Sequence, residues 1–381
     1  MVFANRRCFL ARKIRGEIFN NDMFKSNYNT HLKIGSLFDG IGVFPLSASR
    51  HGITPTWASE IEKAPVSITK RHFPDMLHLG DITKIDGGKI PPVHIITFGS
   101  PCQNLSNIGK REGLAGSQSS LFYHAIRIIE EMRCATNGSY PVIAIWENVM
   151  GAFSSNNRMD FKAVLESFTK TDVPVPASGT WSNAGMVRGG NTDVCWRVLD
   201  ARYWGKPTLA QRRRRVFLVA DFGGKRARKI LFKARKLQSF FTSSGEGRMS
   251  STCTSRIFIE ETRGNIPILR PFQERRMRST AKDKNKSGFI GSFGRTGDPF
   301  PTLLAVTINI FSFWYEGKEK EGYIRQLTPL ECERLMGLPE SWTAFGSKDE
   351  AISDHARYKA IGNAIAVPCA EYIMAGITEV L

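Results

Sequence analysis

Within the first 150 residues of the chain, five short apolar runs each end on residues suited to binding or chemistry. Leu32 to Phe38 is followed by Asp39-Gly40-Ile41-Gly42, Pro55 to Ser59 by Glu60, and a weaker run from Leu77 by Asp81-Ile82. His94 to Phe98 leads into Gly99-Ser100-Pro101-Cys102-Gln103, and Val142 to Trp146 leads into Glu147-Asn148. Between the last two runs, Leu121, Phe122, Ala125, Ile128, Ile129 and Met132 recur at helical spacing over residues 120–133, which predicts an amphipathic helix. Strands alternating with helices predict an α/β fold, a doubly wound and mostly parallel sheet with helices on both faces. Such a sheet binds ligands outside the carboxyl ends of its strands, and that is where these residues stand.

A sixth strand is expected over Arg215–Ala220, entered through Gln211-Arg212-Arg213-Arg214. From 225 to 322 the pattern dissolves into Gly, Ser, Thr, Arg and Lys, which reads as a smaller, loop-rich module. Between Lys225 and Arg325 stand 21 Lys or Arg against 9 Asp or Glu, much of the formal net charge of +18. A basic segment richer in Arg than in Lys fits a polyanion, most simply nucleic acid. A solvated basic surface is the plainer alternative. Regular patterning returns at Thr328-Pro329-Leu330-Glu331, a capping box with proline at the first helical position. The expected organisation is a basic N-terminal extension over 1–31, an α/β domain over 32–224, a smaller basic module over 225–322 and a C-terminal return over 323–381.

The 7 cysteines, Cys8, Cys102, Cys134, Cys195, Cys253, Cys332 and Cys369, include no C-x-x-C pair. Neither a disulfide framework nor a metal site is expected, and most should be buried, reduced thiols. No run of roughly 18 apolar residues predicts a membrane span. The N-terminus, its apolar residues interrupted by charge, makes a poor signal-peptide core, so the expected compartment is the cytosol.

Single residues carry sharper readings. Glycines after a strand, as in Phe38-Asp39-Gly40-Ile41-Gly42, let a ligand approach the backbone. Glu60, at the end of the next strand, is placed to accept from ribose hydroxyls, or else simply faces solvent. Cys102 stands on a turn after a strand, where loops carry function, rather than in the core where a cysteine is usually inert. Its thiolate would be the nucleophile. Glu147, desolvated at the end of a core strand, would stay protonated near neutrality and donate to a ring nitrogen; a salt bridge is the alternative. Alternate residues of a strand share a face, so Arg213 and Arg215 point together into one site or line a solvated basic edge.

Six stretches, FDGIG, SPCQNLS, WENV, AQRRRRVFLVADF, LTPLECERLMGLPESW and YKAIGNAIAVP, occur in that order from about Leu32 to the C-terminus. In content and order they resemble the motifs of the cytosine-5 DNA methyltransferases of the bacterial restriction-modification and phage type. The resemblance implies a Rossmann-like fold and transfer of a methyl group from S-adenosylmethionine to carbon 5 of a flipped-out cytosine in duplex DNA. It implies Cys102 as nucleophile at carbon 6, Glu147 as donor to the ring nitrogen at position 3, and Arg213 and Arg215 in the site. For the cofactor it implies Phe38, Asp39, Gly40 and Gly42 at the glycine turn, Glu60 with Ile61 at the ribose, and Asp81 with Ile82 at the adenine. Pro101, Leu121 and Asn363 would complete that pocket. Gln103 and Ser106 would lie in the loop that closes over DNA, and Thr302 with Leu303 near the core of a recognition domain over 225–322.

The pattern has departures. Val43 stands where a further glycine is usual, His94 where an aspartate is, Leu105 where Phe is common and Met150 where Pro is frequent. None removes a catalytic group. Duplex DNA is the expected partner, with no membrane. One cytosine per visit needs only a monomer, and a cognate restriction endonuclease would be encoded separately. Two other readings stay open: a cytosine-5 methyltransferase of RNA, as in one branch of the family, and a DNA-binding regulator without catalysis. Intact Cys102, Glu147, Arg213 and Arg215 argue against the second.

Overall fold

The apolar runs fold into neighbouring strands of one sheet. β1 (Lys33–Leu37), β2 (Thr54–Ser59), β3 (Leu77–His78), β4 (Ile95–Phe98) and β5 (Ile143–Val149) run parallel, in the order β3-β2-β1-β4-β5. Helices α1 (Val43–Ser49), α2 (Lys63–His72) and α3 (Leu121–Ala135) lie in the connections, and α4 (Met159–Thr169) follows β5. The computed structural model describes residues 31–100, 121–203, 209, 211–232 and 326–381. It also describes the backbone of 267–276, 289–293, 310–315 and 318–325. The N-terminal extension lies outside these residues.

Three antiparallel strands complete the sheet. β6 (Ala184–Gly189), β7 (Thr192–Asp200) and β8 (Arg214–Phe222) extend it to eight strands, in the order β3-β2-β1-β4-β5-β8-β7-β6. Of the three, the sequence pattern predicts only β8. Asp193 and Arg197 interrupt the apolar pattern of β7, but the fold gives each a partner. Buried Asp193 pairs with Arg188 of β6 at 2.7 Å, and Arg197 donates to the carbonyl of Leu231 at 2.9 Å.

The period of two along each strand divides the core into two layers. Ile95, Ile143, Ile145, Phe217 and Val219 face one layer, with α1 and the C-terminal helices. Ile96, Phe98, Ala144, Trp146, Val216 and Leu218 face the other, against α3 and α4. By the same parity Glu147 and Arg215 continue the first face, and Ser100 and Asn148 the second.

The C-terminal return closes the first layer. α5 (Ala227–Leu231) buries Ala227, Ile230 and Leu231 in it, so the core continues past the expected boundary at 224. α6 (Pro329–Met336) opens with the expected capping box. Thr328 N–H donates to Glu331 Oε2 at 2.7 Å, and Glu331 N–H donates to Thr328 Oγ1 at 3.2 Å. α7 (Asp354–Asn363) and α8 (Val367–Thr378) follow, and α8 packs on α1 and α5 through residues including Ile373, Met374 and Ile377.

The region read as loop-rich holds regular structure. β9 (Pro267–Arg276), β10 (Phe289–Phe293), β11 (Ile310–Tyr315) and β12 (Lys318–Gln326) form a four-stranded antiparallel sheet, in the order β10-β9-β11-β12. β12 runs past the expected boundary at 322. Antiparallel sheets tolerate one polar face, so a strand such as KEKEGYIRQ gives no continuous apolar run to find.

Candidate active site

The turn after β1 is strained and held. Phe38, Gly40 and Gly42 have φ of 54°, 58° and 78°, the left-handed region that costs a non-glycine residue about 1 kcal/mol or more. Asp39 N–H donates to the Ser59 carbonyl at 3.1 Å, and Gly42 N–H to the Asp39 carbonyl at 3.1 Å. Gly40 N–H donates to Glu60 Oε2 at 2.9 Å. Glu60 Oε1 accepts from the N–H groups of Ile61 and Glu62 at 2.7 and 2.9 Å. A carboxylate offers about four lone-pair sites. Three are occupied here, so the remaining capacity on Oε2 suits one further hydroxyl rather than two.

The surroundings of this turn fit a ligand. A Cβ on Gly40 would meet nothing within 4 Å, and Ile61 is 72% exposed beside Glu60. Asp81, in the connection after β3, accepts from Thr83 N–H at 2.9 Å and from Thr83 Oγ1 at 2.8 Å, both on Oδ1. Those bonds hold its carboxyl below the usual range and leave Oδ2 for a donor. Ile82 is buried next to it, and Leu121 is half-buried at the start of α3. Asp39 is buried with neither carboxyl oxygen hydrogen-bonded. Burial, with a smaller contribution from Glu60, pushes it up to about 7; the neighbouring Ser36 hydroxyl opposes this without reaching hydrogen-bond geometry.

A second cluster lies where β5 meets β8. Antiparallel pairing sets Val149 against Arg215 and Glu147 against Phe217. It thereby brings the start of β8 to the same sheet edge as the ends of the parallel strands. Arg215 Nε stands 3.2 Å from Glu147 Oε1, both side chains being mostly buried. Burial raises the Glu147 carboxyl above its ordinary range, and the Arg215 and then Arg213 guanidinium groups pull it partly back. The salt bridge and the raised acid are thus both present. Gly99, just beyond β4, passes against this carboxyl: a Cβ there would sit 3.0 Å from Glu147 Oε2.

Against this geometry, the model of the C-5 cytosine-specific DNA methylases matches residues 32–379. The chain belongs to that family. The type II methyltransferase M.HhaI of Haemophilus parahaemolyticus is 24% identical, over 92% of this chain and 95% of that protein. M.MspI of Moraxella sp is 27% identical, over 92% and 72%. A protein of Escherichia phage P1 named DNA N-6-adenine-methyltransferase is 25% identical over 91% of this chain, which spans 61% of its length. Among solved structures, the S. pombe Dnmt2 methyltransferase superposes with a TM-score of 0.54 at 15% identity, covering 91% of this chain and 98% of that one. The Entamoeba histolytica methyltransferase EhMeth gives 0.57 at 13%, covering 92% and 98%. These two likenesses speak for the fold.

In this methylase Arg215 pairs with Glu147, whereas Arg213, just before β8, is anchored on the C-terminal return. Arg213 is buried, and its Nη2 donates to the carbonyls of Gly362 and Ala364 at 2.9 and 2.6 Å. It therefore grips the backbone on either side of Asn363, whose side chain is exposed at the end of α7. One residue that sequence reasoning passed over is Ser100. Its buried Oγ accepts from Trp146 Nε1 at 3.2 Å and Asn148 Nδ2 at 3.4 Å, tying the chain that precedes Pro101 to β5. The available signal was its place between Gly99 and Pro101, two residues beyond the strand.

Pro101, Cys102, Gln103, Ser106, Thr302 and Leu303 lie outside the described residues. The thiols of Cys195, Cys332 and Cys369 are free and buried. Burial pushes all three up, Cys195 to about 12, which makes them poor nucleophiles. Cys134 is disulfide-bonded, an exception to the expectation that most of the thiols are reduced.

Proposed function

We propose that this methylase transfers a methyl group from S-adenosylmethionine to carbon 5 of a cytosine flipped out of duplex DNA, through a bond between Cys102 Sγ and carbon 6. The observation that carries the reading is the passage of Gly99 against the Glu147 carboxyl. A pyrimidine set on that carboxyl by its ring nitrogen lies beside the start of the Cys102 loop.

The chain's groups suit each step. Addition of the Cys102 thiolate to carbon 6 pushes an electron pair through the ring, and carbon 5 becomes nucleophilic. Glu147, protonated because it is desolvated, donates a hydrogen bond to the ring nitrogen at position 3 as negative charge gathers there. Arg215 fixes the carboxyl's orientation and limits how far its acidity falls. Bound S-adenosylmethionine would supply an electrophilic methyl group on its sulfonium. Phe38, Glu60 and Asp81 would orient it. Loss of the carbon-5 proton to a base and departure of the thiolate then restore the aromatic ring. The basic stretch within 225–322 would neutralise phosphates, and extrusion of the base is needed because carbon 6 is shielded in the stacked duplex.

The biological setting we infer is restriction-modification or phage self-protection, in the cytoplasm of a bacterial or phage-infected cell. A monomer suffices, and any paired endonuclease would be a separate chain. Incubation with methyl-labelled S-adenosylmethionine and duplex DNA or tRNA, followed by digestion to nucleosides, tests the reading. Label in 5-methylcytosine from the duplex is expected. Label in N6-methyladenine would move the reading to the chemistry in the phage P1 protein's name, and label in tRNA alone would end the DNA assignment.

A further inference from the structure

Trp342 closes the LPESW stretch between α6 and α7, and the proposed chemistry gives it no part. Its indole N–H donates to the carbonyl of Ile41 at 2.8 Å, inside the turn after β1 and 301 residues away in sequence. That carbonyl receives no donor from the helix it precedes. The φ of 78° at Gly42 takes the chain off the helical path, and Pro45, four residues on, has no N–H. The indole would be equally orphaned without Ile41, because Trp342 is only 6% exposed.

Trp342 is itself fixed by α2. Its ring stacks on His72 with centroids 3.5 Å apart and planes 3° apart, and Phe73 meets it edge-on at 6.1 Å. His72 Nε2 lies 2.8 Å from the Trp342 carbonyl, an acceptor, so that nitrogen carries the proton. Thr69 and Phe73 also close the space beside Gly42, where a Cβ would stand 3.0 and 3.3 Å from them. The strained turn is thus held from two sides. Ser59 and Glu60 of the β2 end hold its first half, and the C-terminal return holds its second.

We infer that Trp342 is a positioning residue for the cofactor: by holding the Ile41 carbonyl it keeps the turn, with its left-handed Phe38, Gly40 and Gly42, in the form that it presents to the ligand. This rests on the proposed cofactor site.

Calorimetric titration with S-adenosylhomocysteine tests it on the full chain. Trp342→Phe keeps a ring on His72 and removes only the N–H donor. Loss of one buried hydrogen bond predicts about three- to tenfold weaker binding, with duplex DNA affinity in the absence of cofactor unchanged. Wild-type affinity in that variant overturns the inference. Hydrogen exchange on the wild-type protein gives a second reading that needs no variant. Peptides covering 38–46 and 338–346 should gain protection together when S-adenosylhomocysteine is added. Protection of the first without the second also overturns the inference. No binding of S-adenosylhomocysteine to the wild-type protein would instead tell against the cofactor site itself.

Discussion

The two ends of the sheet edge are built by opposite means. Around β1 to β3, the end proposed for the cofactor is main-chain architecture: left-handed φ values, carboxylates of Glu60 and Asp81 tied to backbone N–H groups, and open space at Gly40. Where β5 meets β8, the end proposed for the base is side-chain electrostatics: Glu147 and Arg215 paired in a mostly buried setting, with Arg213 adding to the positive charge. The difference follows from strand direction. Parallel strands bring only their carboxyl ends and turns to this edge. The antiparallel β8 brings an amino end, which delivers arginines beside a glutamate without an extra loop. A site for a large ligand is thereby framed by backbone, and a site for charge development by fixed charges in a region of low dielectric.

Substitutions should separate the two ends, beginning with the largest effect. Glu147→Gln keeps shape and removes the acid. Its kcat should fall by roughly a hundred- to ten-thousandfold, while calorimetry finds S-adenosylhomocysteine affinity near wild type. Loss of cofactor affinity in this variant would break the division. Arg215→Ala should lower kcat/KM by about ten- to a hundredfold. It also removes the cation that pulls the Glu147 carboxyl down, so the basic limb of the pH–rate profile should move to higher pH. A limb that moves to lower pH would contradict the electrostatic account of this end.

The remaining effect belongs to Asp39 and concerns stability rather than rate. Its carboxyl, pushed to about 7 in the folded chain from an ordinary 3.8, keeps its proton on folding where the unfolded chain has lost it. Its contribution therefore weakens as pH rises toward 7. Asp39→Asn cannot ionise, so its stability in cofactor-free denaturant titrations should gain on wild type by roughly 2 to 3 kcal/mol between pH 5 and 8. A constant difference over that window would place the carboxyl in a wetter or paired setting.

The turns around β1 to β3 were the more legible in the sequence. Its residues sit at the ends of apolar runs, and FDGIG announces a turn by its glycines. Glu147 was legible for the same reason. The partner of Arg213 was not, because Gly362 and Ala364 offer only carbonyls, which no side-chain pattern reveals. β6 and β7 escaped because the ion pair of Arg188 with Asp193 is visible only after folding. β9 and β12 escaped because their charged residues hide the period of two, whereas β10 and β11, FIGSF and IFSFWY, carry no charge and were lost among the Gly, Ser, Lys and Arg around them. Trp342 looked like part of a motif, and its contact with Ile41 spans nearly the whole chain.

The central claim is covalent catalysis by Cys102 at a cytosine held by Glu147. Duplex DNA carrying 5-fluorocytosine at the target, incubated with S-adenosylmethionine and run on a denaturing gel, tests it most directly. Fluorine cannot leave as the carbon-5 proton does, so the account predicts a stable protein–DNA adduct, lost in Cys102→Ser. An adduct that persists in Cys102→Ser, or no adduct with a protein that methylates the unmodified duplex, would contradict it.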